Sequence, residues 1–485
     1  MLFNSLNYAV FLPIVFALFW LSKDKWRVWI LLIASYIFYM SWKPAFILLI
    51  IGLTVANYYL AFAIAGAPDQ KGKKKWLTVS VVGNLLTLAF FKYAYFFNDT
   101  LSAILKSCGQ PATKLPFDIV LPLGISFFVF EFIHYTTDVY RGHQPIRSFP
   151  AFALFASFFP TQIAGPIKRF QDFIPQFLAP AKLTVKSFDN GISLILLGLF
   201  KKVLIADNLS FFVQGGFSQP ELFSGLDLWI FAYAFAFQIY FDFSGYTDVA
   251  RGSAMLFGYK VPINFNLPYL AANIAEFWHR WHISLSTWLR DYLFIPLGGS
   301  RVSKLLNYRN LILTMTLGGL WHGAAMHFLV WGLYHGLLLV GHKLFQAGKD
   351  SLPALKNIID SSMGKFASVL LTFHAVVIGW VFFRAETSTI ALEMLKRMFT
   401  LSPALDNGEK VSMLLTHINY PLIYPTIFLI LPVLAVMHYL SGLVSGIDLN
   451  KKVPRFCKIG YAFALMFLIL VFSPDKSPRF IYFQF

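Results

Sequence analysis

Long apolar runs, cut by short polar breaks, organise this chain from residue 7 to residue 473. Read as helices, they predict spans at 7–21, 27–41, 45–66, 76–97, 118–138, 148–164, 187–206, 227–249, 309–323, 326–345, 364–384, 421–441 and 457–473. A hydrocarbon layer of about 30 Å needs about 20 such residues, so the shorter runs read as re-entrant or interfacial. The expectation is an all-α polytopic membrane protein with about 11 crossings. No repeat or low-complexity linker divides it. The reading is one integral-membrane domain, with N-terminal spans in 1–150, a core in 151–345 and C-terminal spans in 346–485.

Composition sharpens this picture. Of 485 residues 57% are apolar and 13% charged, about half the charged share of a soluble domain. That excludes a disordered chain and an ordinary cytosolic enzyme. The net charge of +17 would suggest nucleic acid in a soluble protein. Here the basic residues sit in breaks between spans, where lipid headgroups and the positive-inside rule account for them, so no nucleic-acid partner is expected. Lys23, Lys25 and Arg27 occupy one break, Lys71 and Lys73–Lys75 the next but one, Arg141 and Arg147 the next but one again. Their alternation puts the N-terminus outside and the lysine-rich breaks in the cytoplasm.

One stretch interrupts an apolar run. Pro160, Gly165, Pro166, Pro175 and Pro180 break residues 160–180, with Lys168 and Arg169 among them. Irregular backbone at membrane depth requires surrounding protein or a water-filled cavity. The alternatives are a cavity lining and a surface loop joining two spans.

The polar chemistry concentrates in 273–342. From Asn273 to Tyr292 the helical period places Trp278, Trp281, Leu285, Trp288 and Tyr292 on one face, and Arg280, Ser284, Thr287 and Asp291 on another. That predicts one amphipathic helix lying at the headgroup level, ended by Pro296 and Gly298-Gly299. A plain anchor has no need of His279 and His282. Further on, Trp321-His322-Gly323 closes an apolar run, and His327, Trp331, His335 and His342 follow on one helical face. Any one of these histidines alone reads as a core residue bonded to a carbonyl. As a group they read as a site.

Known ligand spacings are missing around these histidines. There is no Cys-x-x-Cys and no H-E-x-x-H, so no metal is expected. The nucleophile elbow, the phosphate-binding loop and the dinucleotide fingerprint are missing as well. What remains is a histidine working as general base in a dry cavity, suited to moving an acyl group onto a hydroxyl.

At these residues the chain resembles the membrane-bound O-acyltransferases, in particular their alginate O-acetyltransferase branch, which is related to the subunit that D-alanylates teichoic acid. The matching stretches are Tyr240-Phe-Asp242-Phe-Ser244-Gly245-Tyr246-Thr247-Asp248, the 276–299 segment, Trp321-His322-Gly323, Trp380-Val-Phe-Phe-Arg384 and the terminal Phe480–Phe485. The resemblance implies a tunnel whose narrow point holds His322 as catalytic base. It implies a second polar residue at His282, 40 positions earlier. Trp321, Gly323, Asn273, Trp278, His279 and Arg280 are the expected substrate-binding residues. No bound cofactor is implied.

The resemblance further implies an acyl thioester donor, acetyl-CoA or an acyl carrier, reaching the site from the cytoplasm of a bacterial inner membrane. The acyl group then passes outward to an exported or cell-wall polysaccharide, through an extracytoplasmic SGNH-type acetyltransferase partner. The competing reading is a transporter or flippase for a lipid-linked glycan, with buried histidines as proton relays.

Overall fold

A computed structural model describes the whole chain except residues 114, 116–117, 164, 404–422, 445–453, 475–477, 479 and 482–485. Residues 482–485 of the terminal motif therefore lie outside the described residues. Among the described residues every regular element is a helix. Five helices have the length and apolarity to cross a membrane: Phe46–Ala65, Gln70–Ser107, Gly225–Leu256, Met326–Lys349 and Ser362–Arg384. Shorter apolar helices such as Leu6–Leu21 stand beside them.

The chain divides into two compact units. The first comprises Met1–Ile195 and Tyr246–Ile263. Helices such as Leu6–Leu21 and Phe46–Ala65 are apolar on nearly all sides, so hydrocarbon contact cannot decide which faces meet. Polar side chains do. Asn57 and Asn84 exchange amide bonds of 3.2 and 2.7 Å, Ser80 donates to Asn57 at 3.0 Å, and Ser80 meets Thr136 at 2.9 Å. Three helices, Phe46–Ala65, Gln70–Leu88 and Ile125–Tyr140, are thereby fixed in register.

The span expected at 148–164 is a helix only over Phe149–Ser157. Pro160 disfavours helical geometry at the residue before it, and it has no N–H to continue the ladder. The described residues of the irregular stretch that follows are buried rather than exposed as a loop. Its backbone is met by side chains: Phe159 N–H donates to Ser35 Oγ at 3.0 Å. Lys168 Nζ donates to Glu131 Oε1 at 2.7 Å and to Thr161 Oγ1 at 2.8 Å, with both charged side chains almost fully enclosed. The Lys168 ammonium also lies over the rings of Phe155 and Phe173.

The second unit comprises Leu196–Gly245 and Asn264–Phe485 and contains the histidine-rich segment. Its centre is a hairpin of two long helices, Lys304–His322 and Met326–Ser351. Glycine makes the hairpin close: a Cβ on Gly319 would collide with the Phe328 carbonyl, and one on Gly332 with the Met315 carbonyl. Small residues at such crossings are how apolar helices gain packing contact without a hydrophobic driving force. The helix Ser362–Arg384 packs alongside, latched by His327 Nδ1 to the Phe382 carbonyl at 3.0 Å.

The amphipathic stretch 276–292 departs from the expected single helix. It forms Ile274–Arg280, a break at Trp281-His282, then Ile283–Leu289 and a π-helical turn Arg290–Phe294. His282 adopts φ +42°, a left-handed conformation that costs a non-glycine residue energy. Asn264 holds the break in place. Its carbonyl accepts from Ile283 N–H at 3.0 Å, and its Oδ1 accepts from Ser284 N–H at 3.1 Å and Ser284 Oγ at 2.7 Å. Trp281, which a surface helix would turn toward lipid headgroups, is instead buried.

Candidate active site

The break at 281–282 and the end of the Lys304–His322 helix bring the two predicted histidines onto one indole. Trp321 stands with its ring centroid 4.9 Å from His322 and 6.2 Å from His282. Both imidazoles are buried, His282 completely. His322 is further enclosed by Trp331 and Phe383, each edge-on with centroids 5.2 Å away. An imidazole in such a box is shielded from water on its ring faces, which strengthens whatever polar contact a reacting group makes with it. Burial pushes the His282 pKa below the ordinary imidazole range, so this ring is neutral at physiological pH.

His282 is set by a second network. Phe243 lies edge-on to it at 4.7 Å, and Phe480 packs on Phe243 at 5.9 Å. Next to Phe243, Asp242 pairs with Lys202 at 2.7 Å and accepts from the Ile481 N–H at 2.9 Å. Lys202 also pairs with Asp207 at 2.6 Å. A buried cation between two carboxylates thus anchors the described part of the terminal motif to the helix that supports His282.

The other predicted residues divide. Trp278 packs on Trp331 at 5.8 Å and on His335 at 5.1 Å, one ring away from His322. Gly323 leaves the space that the Phe328 ring fills. Asn273 caps its helix by accepting from Glu276 N–H at 2.9 Å. Arg280 pairs with Glu276 at 2.7 Å and donates to the Asn266 carbonyl at 3.2 Å. These contacts of Asn273 and Arg280 are local ones that shape the 264–282 turn. His335 is enclosed by Trp278, Trp331 and Trp380.

Beside this cage opens a cavity of about 810 Å³, walled by Trp278, His279, Leu289, Arg290, Lys304, Asn307, Thr314, Met315, His342 and Lys343 among others. Lys304, Lys343 and Arg290, the last paired with Asp291 at 2.7 Å, face it, and among the described residues none of its lining groups is acidic. Lys343 is held by Asn307 Oδ1 at 2.6 Å, and Asn307 Nδ2 in turn donates to the Gly299 carbonyl at 2.9 Å. The Pro296-Leu-Gly-Gly loop, with Gly298 and Gly299 at positive φ, thus positions one of the cations. Such a cavity suits a ligand with several negative charges at one end and an apolar portion at the other.

Sequence reasoning did not single out Arg290, Lys304 or Lys343 as cavity residues. It also missed Lys202 and Asn264. Lys201-Lys202 inside an otherwise apolar run was the available signal for the first; Asn264 carried none.

Comparison with known proteins decides the class. The family model of the membrane-bound O-acyltransferases matches residues 71–379. This chain belongs to that family. As a member it is a multi-pass membrane acyltransferase, and its helices and candidate site lie within or beside the matched region. A protein of Pseudomonas aeruginosa described as a probable alginate O-acetylase is 44% identical over 393 residues, 81% of this chain and 73% of the relative. A Helicobacter pylori peptidoglycan O-acetyltransferase is 37% identical over 430 residues, covering 83% and 79%. The Bacillus subtilis teichoic acid D-alanyltransferase is more distant, 28% identical over 287 residues, or 56% of this chain and 70% of the relative.

Proposed function

We propose that this acyltransferase moves an acetyl group from a cytoplasmic thioester, acetyl-CoA, through the membrane for O-acetylation of an exported or cell-wall polysaccharide. The observation that carries the reading is the convergence of His282, Trp321 and His322 in one dry aromatic cage beside a cation-lined cavity. His322 is the general base. It takes the proton of an acceptor hydroxyl as that oxygen bonds to the thioester carbonyl carbon, and the C–S bond breaks as the tetrahedral intermediate collapses. The proton passes on to the departing thiolate, giving the acetyl ester and the free thiol. His282 orients the donor or acceptor from the other side of Trp321.

Arg290, Lys304 and Lys343 hold the phosphates of the donor, which gives part of the basic excess a role besides lipid contact. Trp278 and His279, on the cavity wall, contact the donor. Gly323 and Trp321 set the position of His322. Asn273 and Arg280 act through the shape of the turn that carries His282. The acceptor oxygen belongs to a glycan, delivered through an extracytoplasmic SGNH-type partner, in a bacterial inner membrane with the N-terminus outside. The names of the two relatives above favour an alginate-type or peptidoglycan-type acceptor.

The test is sided. The purified chain is placed in liposomes with radiolabelled acetyl-CoA on one face, and mannuronate oligosaccharides or muropeptides with the partner transferase on the other. Label appearing on glycan only when donor and acceptor are on opposite faces is the expected result. Label uptake driven by a proton gradient without any ester formed would replace the reading with transport.

A further inference from the structure

The cation-lined cavity stops short of His322, and what stops it is specific. On the helix Lys304–His322, positions 308, 311, 315, 318 and 322 succeed one another at spacings of three or four and share one face. The cavity runs along this face as far as Met315. His322 lies two turns further, about 10 Å along the axis. Between them is Gly318. A Cβ there would stand 3.0 Å from Leu289 Cδ1 and would meet nothing else within 4 Å. Leu289 itself lines the cavity and is 6% exposed. Its side chain therefore fills the notch left by the glycine, on the helix face that leads from the cavity toward the histidine. On the other flank the wall is Trp278, which packs on Trp331, the indole that stands edge-on to His322.

We propose that Leu289, seated in the Gly318 notch, is the constriction that limits the transferred acyl group to acetyl size. The inference rests on the acetyl-CoA reading above and adds to it the residue pair that sets chain length. An acetyl group carries one carbon beyond its carbonyl, which passes a leucine methyl with a small rotamer change. A butyryl group carries two more and needs the volume that Leu289 occupies. Glycine at 318 leaves the leucine its seat: a Cβ 3.0 Å from Leu289 Cδ1 would shift that methyl by a few tenths of an ångström, toward the path. The bonds formed and broken are those of the transfer already described; the constriction selects which acyl group reaches them.

The experiment measures thiol release from acetyl-CoA and butyryl-CoA by the full-length chain in liposomes, with the oligosaccharide acceptor and the partner transferase present. Wild type is expected to prefer acetyl strongly. Leu289→Ala raises the butyryl-to-acetyl ratio about tenfold, the size of discrimination a pocket exerts over one or two methylenes. Gly318→Ala lowers acetyl release, and Leu289→Ala combined with Gly318→Ala restores it. Leu289→Val, which preserves packing better, moves the ratio in the same direction by less. A folded Leu289→Ala or Leu289→Val protein with the wild-type ratio overturns the constriction while leaving acetyl transfer standing. A wild type that releases no thiol from either donor removes the acetyl-CoA reading, and the constriction with it.

Discussion

Asn264 shows how one side chain can decide a site. It is buried, and three of its contacts fix the backbone on the C-terminal side of His282. Asn264→Ala removes the side-chain bonds and leaves the Ser284 N–H without its acceptor, a loss of about 1–3 kcal/mol. The expected result is a lower melting temperature in detergent and a lower kcat, with Asn264→Asp recovering part of both because it keeps the accepting oxygen. At Glu131 and Lys168 the test is of pairing. Removing either charge leaves the other buried alone, at a cost of about 3–5 kcal/mol. Glu131→Gln should therefore unfold at lower denaturant than Glu131→Gln combined with Lys168→Met, although the double variant departs further from the natural sequence. His322 was legible at this scale because histidine in an apolar run bordered by glycine is a conspicuous expense. Asn264 was not, since its partners are about twenty positions away and a lone asparagine in a Pro/Asn-rich loop reads as a turn residue.

At the scale of elements, apolar runs predicted helices well where nothing but hydropathy was needed. The runs at 45–66, 227–249, 326–345 and 364–384 all appear as helices, with Gly225–Leu256 and Met326–Ser351 extending well past 249 and 345. The pattern failed where backbone geometry overrules periodicity. Helical spacing holds from Trp278 to Tyr292, yet His282 at positive φ cuts the helix in two and turns Trp281 inward. Periodicity reports which faces are apolar and is blind to a break that preserves the alternation. The hairpin of Lys304–His322 and Met326–Ser351 offers a prediction at this level. Gly319→Leu places a side chain where the Phe328 carbonyl lies, so the two helices must part and His322 moves. Loss of acetyl transfer with a large fall in thermal stability is expected. The cavity cations belong to the same hairpin and the turn before it. Lys304→Gln and Lys343→Gln should raise KM for acetyl-CoA severalfold with little change in kcat, and the effect of each should shrink at high salt.

For the whole molecule, composition alone placed the chain in a membrane, and the family match agrees. Orientation is testable with the protein's own thiols. Cys108 and Cys457 are both exposed, and they are the two cysteines of the chain. With Cys457→Ser, a membrane-impermeant maleimide should label Cys108 from outside intact spheroplasts, because Cys108 follows the far end of the helix Gln70–Ser107, which is outside when its lysine-rich start is inside. Labelling only after the membrane is opened would invert the topology. Catalysis turns on one imidazole, that of His322. Its most direct test is thiol release from acetyl-CoA, with acceptor and partner transferase present, by purified wild type and by His322→Ala protein that elutes and melts like wild type. Release is expected to fall to the uncatalysed rate in the variant, a loss of at least about 10²–10⁴-fold. Wild-type release by a folded His322→Ala protein would contradict it.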